Sequence, residues 1–416
     1  MLVEGGIAVL LVVIILSQSF IALELVWGRF NAPLVDVAAL IAVGVSALRR
    51  LPRHGVRGDH AELRLSEDEH LSASAPWYQW VAPRWAFLCL VAAGLSLMHS
   101  PDLFESVWFI LRKIVFNYVV YAVGLAALLR TCPLALIHPL LLIYTAVIAA
   151  MAVGATIPLW LHGYFTASTP LYPFVVNQKT FALSLAPYIP FLWMGRAAVS
   201  ARVRRYTPWV LAYACAAVLM TFSRTAWITL AFGILSLVPD REGRLFLTHP
   251  RRMLLVLAIA CASMIALPLV FGQSQMNDAF NARTSLQLRA WTMFSAHPVF
   301  GYGAGMSTHY ELGIAPHYRI NGVDAHSVLE KIGAEFGLFG LVAFGGFYTS
   351  LLTGLVRRGI RGQATADPVI TGAAVMGLAL HVNLLFSTET FSASHWMPLA
   401  LVLAYAAPRR GNADPA

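Results

Sequence analysis

GQSQMNDAFNARTSLQLRAWTMFSAHPVFGYGAGMSTHYELGIAPHYRINGVDAHSVLEKIGA, residues Gly272 to Ala334, is the one long break in the hydrophobicity of this chain. Around it the sequence is almost uniformly apolar: of 416 residues 58% are hydrophobic and 12% charged, and the mean hydropathy is +0.69. A soluble domain carries about 25% charged residues, so this composition makes a polytopic membrane protein with a long polar insertion. A formal charge of +9 in a soluble protein would suggest nucleic acid. Here the sidedness of the charges accounts for it, and the expected surroundings are membrane lipids.

A helix needs about 20 apolar residues to cross a bilayer. The apolar runs predict an all-α integral membrane protein of about twelve spans, one polytopic domain over 1–416. The spans fall near 6–27, 33–48, 84–99, 114–130, 133–156, 180–197, 207–222, 225–239, 253–271, 335–356, 368–386 and 394–408. The start, MLVEGG, lacks a basic n-region and the run after it exceeds a signal h-region, so it is expected to stay as the first span. With the N-terminus inside, alternation gathers twenty of the 29 Lys and Arg residues on one side, among them Arg49, Arg50, Arg251 and Arg252. By the positive-inside rule that side is the cytoplasm. Both termini and the mixed-charge linker 49–83 are then cytoplasmic, and the loop 272–334, between spans nine and ten, lies outside. ATP and sugar nucleotides are absent from that face. A transferase working there needs a donor activated elsewhere and carried through the membrane.

Cys89, Cys132, Cys215 and Cys261 lie in or beside apolar runs with no short spacing, and read as small buried hydrophobes. No 20–50-residue repeat is evident, nor the half-and-half symmetry of broken helices found in many transporters.

The residues able to do chemistry cluster toward the outer face. Arg224, in TFSRTAW, falls where two spans turn around with almost no loop. It is either a solvated loop-end arginine or a clamp for an anion, since a guanidinium matches phosphate bidentately. Residues 278–296 read as an amphipathic helix ending at His297-Pro298. Six positions apart, Arg283 and Arg289 point about 120° away from each other. Arg289, followed by Trp291, is the candidate on the ligand side, and Arg283 is the weaker one. Gly301, Gly303 and Gly305 form G-x-G-x-G, but no strand precedes it, so it reads as a tight turn rather than a dinucleotide cradle.

Ser327 and Glu330 form the S-x-x-E capping box of a helix start. His326 is thereby placed at the positive end of a helix dipole, which favours neutral imidazole, the form able to accept a proton. Asp324 could orient it. The bland alternative is a surface histidine. The spacings of His309, His317 and His326 match no compact metal pattern, and no nucleophile elbow is present. No metal and no cofactor are expected. Lys179 marks the outer end of the sixth span, where it either touches an anionic substrate or simply anchors the helix, and His381 with Asn383 lies near the outer end of the eleventh, without an assigned role.

Taken together, Ser223-Arg224, R-x-W (Arg289 to Trp291), H-P-x-x-G-x-G (His297 to Gly303), D-A-H-S-x-L-E (Asp324 to Glu330) and A-E-x-G-L-x-G (Ala334 to Gly340) resemble the O-antigen ligase and O-antigen polymerase superfamily. The resemblance is sharpest from Thr221 to Gly340. The family usually has His-Asn where this chain has His326-Ser327, which leaves the capping logic intact.

The resemblance implies a helical glycosyltransferase of the GT-C type in the bacterial inner membrane, with its active site on the periplasmic side. The implied donor is an O-polysaccharide on undecaprenyl pyrophosphate. In the ligase branch the acceptor is a sugar hydroxyl of the lipid A–core oligosaccharide, and transfer is metal-independent and inverting. Arg224 and Arg289 would hold the pyrophosphate, and His326 would be the base. Two rivals from the same superfamily are a polymerase, whose acceptor is another lipid-linked unit, and a ligase acting on protein hydroxyls. A transporter of lipid-linked sugar is a remote alternative, because it needs ionisable residues through the mid-membrane and the spans hold few.

Overall fold

The computed structural model describes residues 9–15, 24–27, 30–50, 82–162, 170–171, 176–237, 258, 274–310, 327–356, 367–385, 387, 391 and 393–406. Its helices are α1 (Leu34–Arg50), α2 (Pro83–Ser96), α3 (Leu103–Thr131), α4 (Leu134–Leu161), α5 (Gln178–Leu185), α6 (Tyr188–Gly195), α7 (Ala201–Met220), α8 (Arg224–Ser236), α9 (Ser274–Ala296), α10 (Val328–Leu355), α11 (Pro368–Leu385) and α12 (Ala393–Tyr405). Among the described residues α3, α4, α10 and α11 are long and apolar enough to cross a membrane, and Leu34–Leu48 and Pro83–His99 are shorter apolar helices. The protein is therefore an α-helical membrane protein.

Several expected spans have different bounds. The run at 6–27 does not end as a helix: residues 9–15 are helical, but β1 (Glu24–Trp27) pairs antiparallel with β2 (Phe30–Pro33). Val26, Trp27 and Phe30 favour strand. A second minimal pair, β3 (Pro170–Leu171) with β4 (Val176–Asn177), also departs from the expected all-α plan. The sixth run, 180–197, breaks at residues 186–187 into α5 and α6, where Pro187 interrupts the helical bonding. The ninth run, 253–271, lies outside the described residues except for residue 258. The fourth and tenth spans are longer than their apolar cores, because their helices begin earlier, at Leu103 and at Val328.

Between apolar helices in lipid there is no hydrophobic drive, so close packing and polar bonds decide which faces meet. The inner surface of α11 is built from small residues, Gly372, Ala373, Ala374, Gly377 and Ala379, all buried, and α6, α8, α10 and α12 pack around it. On the other side α10 lies along α2, and α4 lies along α7 and α5. Tyr121 Oη donates to Asp36 Oδ1 at 2.7 Å and ties α1 to the middle of α3, which is wound in wider π-type turns.

Near the start of α3 Ser106 Oγ donates to Ala304 O at 2.7 Å, and at its middle Asn117 Nδ2 donates to Phe391 O at 3.5 Å. Just past its end Tyr405 Oη donates to Cys132 O at 3.2 Å, and on α4 His138 Nε2 pairs with Leu192 O at 3.0 Å. The polar insertion meets the bundle at the start of α3.

Candidate functional site

The α7–α8 turn is short, Thr221 to Ser223, and tightly locked. Thr221 Oγ1 donates to Val218 O at 2.8 Å and accepts from Ser223 N at 3.4 Å, while Trp227 Nε1 donates to Val218 O at 3.0 Å. These bonds satisfy carbonyls that the end of α7 leaves open. Phe222 is held at φ 51°, a left-handed conformation costly for an aromatic residue, with its ring between those of Trp160 and Trp227. The turn is thus over-determined by its neighbours. It delivers Arg224 as the first residue of α8, partly buried. Ser223, the N-cap, makes no side-chain cap bond, so the α8 N-terminus keeps open N–H donors beside the guanidinium. Among the described residues Arg224 has no hydrogen bond or ion pair.

The amphipathic helix expected at 278–296 is α9, starting four residues earlier at Ser274. Its buried stripe is Leu286, Arg289, Ala290 and Met293, at the i, i+3, i+4, i+7 spacing of one helical face. Arg289 is 1% exposed, the largest of the fully buried side chains. Trp291 is 65% exposed and stands on the opposite face, so the R-x-W pair does not form one ligand surface. The side chain of Arg283 lies outside the described residues.

The first turns of α10 carry two charged residues that sequence reasoning did not single out. Lys331 is 4% exposed and Glu335 fully buried, and Lys331 Nζ lies 3.6 Å from Glu335 Oε1. The same Oε1 accepts from Ser307 N at 3.2 Å. Lys331 also stands over the rings of Phe109 and Phe391, at 5.4 and 5.6 Å. A buried charge must be paired or shifted to neutrality. Arg289, Lys331 and Glu335 are thus three buried charged side chains on two packed helices. The signal was present: a Lys and a Glu four residues apart on the first turns of an apolar span.

The H-P-x-x-G-x-G segment is a tight turn, as expected, with an added role. At Gly337 α10 is broken, with φ 65° and ψ −160°. In an unbroken helix Leu338 and Phe339 would donate to Ala334 and Glu335. Instead Leu338 N donates to Pro298 O at 2.8 Å and Phe339 N to Val299 O at 3.1 Å. The released carbonyls of Ala334 and Glu335 accept from Tyr302 N at 2.9 Å and Gly303 N at 3.1 Å. The loop is spliced into the helix: two intrahelical bonds are exchanged for four between segments. A Cβ on Gly301 would overlap the Glu335 carbonyl, and one on Gly337 would stand 2.5 Å from Val299 O. Only glycine permits the close approach at both positions. His297, just before this loop, stacks on His99 with ring centroids 4.2 Å apart. Desolvation, and secondarily repulsion from His99, lowers the pKa of His297 below the usual histidine value.

Ser327 is the N-cap of α10, as its capping box implied, and its Oγ accepts from Glu330 N at 3.3 Å. The return half of the box is not made. The Glu330 carboxylate reaches instead to Gln287 Nε2 at 3.2 Å, cross-linking α10 to α9. His326 precedes Ser327 in sequence and, with Asp324 and His317, lies outside the described residues.

The structure therefore joins Arg289 to α10, while Arg224 belongs to a separate group, α8 packed on α11, α5, α6 and α7. Lys179 lies in the first turn of α5, partly buried, and Asn383 and His395 are buried near the adjoining ends of α11 and α12. Among the described residues no group of three or more His, Cys, Asp or Glu residues is arranged to hold a metal ion.

No curated protein matches the chain. Residues 209–345, which run from α7 through the turn at Arg224, α9 and the splice into α10, match the family model described as O-antigen ligase, and this match supports assigning the chain to the O-antigen ligase and polymerase superfamily.

Proposed function

We propose that this protein is an O-antigen ligase of the bacterial inner membrane, a GT-C type glycosyltransferase with its site in the periplasmic loop 272–334 and both termini in the cytoplasm. It transfers O-polysaccharide from undecaprenyl pyrophosphate to a sugar hydroxyl of lipid A–core. The reading is carried by the α8 N-terminus. There an arginine without a protein partner among the described residues stands beside uncapped N–H donors, a combination suited to a phosphate group.

In the reaction the acceptor hydroxyl attacks the anomeric carbon of the donor, the new glycosidic C–O bond forms, and the bond from that carbon to the pyrophosphate oxygen breaks. Attack opposite the leaving group inverts the anomeric carbon. Negative charge develops on the departing pyrophosphate, and Arg224 and Arg289 stabilise it without a metal. His326 takes the hydroxyl proton. A well-placed neutral imidazole contributes about 10²–10⁴-fold, and the start of α10 is where one is favoured over imidazolium.

The reading is tested by supplying purified protein with donor and either lipid A–core or a second lipid-linked unit. Modified lipid A–core is the expected product. Lengthened repeats with lipid A–core untouched would make the protein a polymerase, and glycan found on protein hydroxyls would make it a protein O-oligosaccharyltransferase.

A further inference from the structure

The end of the bundle that carries Arg224 also holds a small cavity. It lies between α5, α11 and α12, lined by the polar side chains of Ser184, Asn383, Ser394 and His395, with Leu183 and Leu380 among its apolar wall. The space is that of about one water molecule. Asn383 is 6% exposed and His395 3%. Asn383 Oδ1 and His395 Nε2 are both buried without a hydrogen-bond partner. Burial of such atoms is unfavourable unless a ligand completes them. Ser184 Oγ donates to Thr180 O at 3.0 Å, so toward the cavity it can only accept.

The three helices of the cavity fix what kind of group fits. The missing partner must donate to Asn383 Oδ1 or Ser184 Oγ, and must pair with an imidazole nitrogen whose role depends on its tautomer. A hydroxyl can give its one hydrogen to Asn383 Oδ1 or Ser184 Oγ and accept from His395 in the tautomer that carries its proton on Nε2. A carboxylate or phosphate cannot donate, and an ammonium cannot accept.

Helix geometry relates the cavity to Arg224. On α8, Ile228 and Phe232 pack against Leu378 and Val382 of α11. Arg224 is one turn before Ile228 on the same face, which places it over the end of α11 where Asn383 follows Val382. The group nearest a pyrophosphate held at Arg224 is the first sugar of the donor.

We propose that this cavity is a hydroxyl-binding subsite that takes one hydroxyl of the sugar attached directly to the lipid pyrophosphate, with Asn383 and His395 as its recognition residues. The proposal rests on the donor reading given above for Arg224.

The test uses the full chain in lipid nanodiscs and two probes, polyprenyl pyrophosphate alone and the same lipid carrying its glycan. Asn383→Leu and His395→Phe should each weaken the glycan-bearing donor about tenfold, the worth of one hydrogen bond, and leave the glycan-free lipid unchanged. A donor whose first sugar lacks one hydroxyl should bind wild-type protein weaker by the same factor, a comparison that needs no folded variant. Equal weakening of both probes would overturn the proposal. So would unchanged affinities with a lowered melting temperature, the outcome expected if the cavity holds only a structural water. If Arg224→Ala leaves binding of the glycan-free lipid unchanged, the pyrophosphate reading falls instead, and the deoxy-donor comparison still decides the cavity.

Discussion

Replacing Gly337 by alanine tests whether the splice of the 298–303 loop into α10 holds the site together. Two responses are open to the chain, and both carry a cost. If the variant keeps the break, its new alanine must adopt φ near 65° with ψ near −160°, a region reserved almost wholly for glycine, at about 1–3 kcal/mol. The added Cβ would also meet Val299 O at 2.5 Å and Gly301 N at 2.6 Å, so the loop must withdraw. If the variant instead straightens the helix, Leu338 and Phe339 recover two intrahelical bonds while the four inter-segment bonds are lost. Two net bonds at about 1 kcal/mol each make about 2 kcal/mol, before any loop group left buried and unpaired is counted. Either route therefore costs on the order of 2–3 kcal/mol.

Gly337→Ala should lower the melting temperature of the purified protein. It should also lower turnover by about 10²-fold, since the loop places Ser307 N on Glu335 and a misplacement of about 1 Å is enough for that loss. Gly345→Ala is the control: nothing stands within 4 Å of a Cβ there, and it should be neutral or mildly stabilising. Gly301 and Gly337 act on one contact, so Gly301→Ala/Gly337→Ala should cost little more than the costlier single variant. Wild-type melting and turnover in Gly337→Ala, or additive costs in the double variant, would refute the argument.

Arg289→Lys should reduce turnover strongly although charge is kept, because an ammonium cannot reproduce the planar fork of a fully buried guanidinium; wild-type kcat/KM in that variant would count against a pyrophosphate contact. His326→Ala should abolish transfer while donor binding, read by equilibrium titration, persists; near-normal turnover would remove it as base. The pKa of His297 is lowered in the folded protein, so the unfolded chain binds more protons as pH falls below about 6.5, and stability should decline on the acid side and not on the alkaline side. Melting curves across pH should show that decline in the wild type and a smaller one in His297→Gln; an identical acid profile in the variant would exclude this histidine as its source.

What could be read from sequence was what depends on local pattern. The amphipathic period of α9, the cap at Ser327 and the tight turn at Ser223-Arg224 are set by neighbours in the chain, and each stands where the pattern put it. Apolar runs located the four helices that, among the described residues, are long and apolar enough to span, but not their limits, because hydropathy is blind to where the helix begins outside its apolar core. Thus α10 begins at Val328, seven residues before the apolar run read at 335–356. The strand pair at Glu24–Pro33 escaped notice for a related reason, since a short apolar stretch reads alike as helix or strand. The splice was not legible at all. G-x-G-x-G announces a turn, but its partner carbonyls lie some thirty positions later, and only the fold brings them together. Lys331 and Glu335 were visible as letters, and their burial under the loop was not.

The break at Gly337 also explains why so polar a pair tolerates burial. Glu335 sits on the turn whose carbonyls the loop occupies, and its carboxylate is held by Ser307 N from that same segment and by Lys331. Were the loop absent, the carboxylate would lose a charge-assisted bond and become costlier to bury. Conversely, the loop segment 298–303 takes four of its backbone bonds from the helix. Folding of the polar segment and assembly of the buried charge cluster are therefore one event. A glycine in a helix that is otherwise uninterrupted is the condition for both, which is why the site cannot be assigned to the loop or to the helix separately.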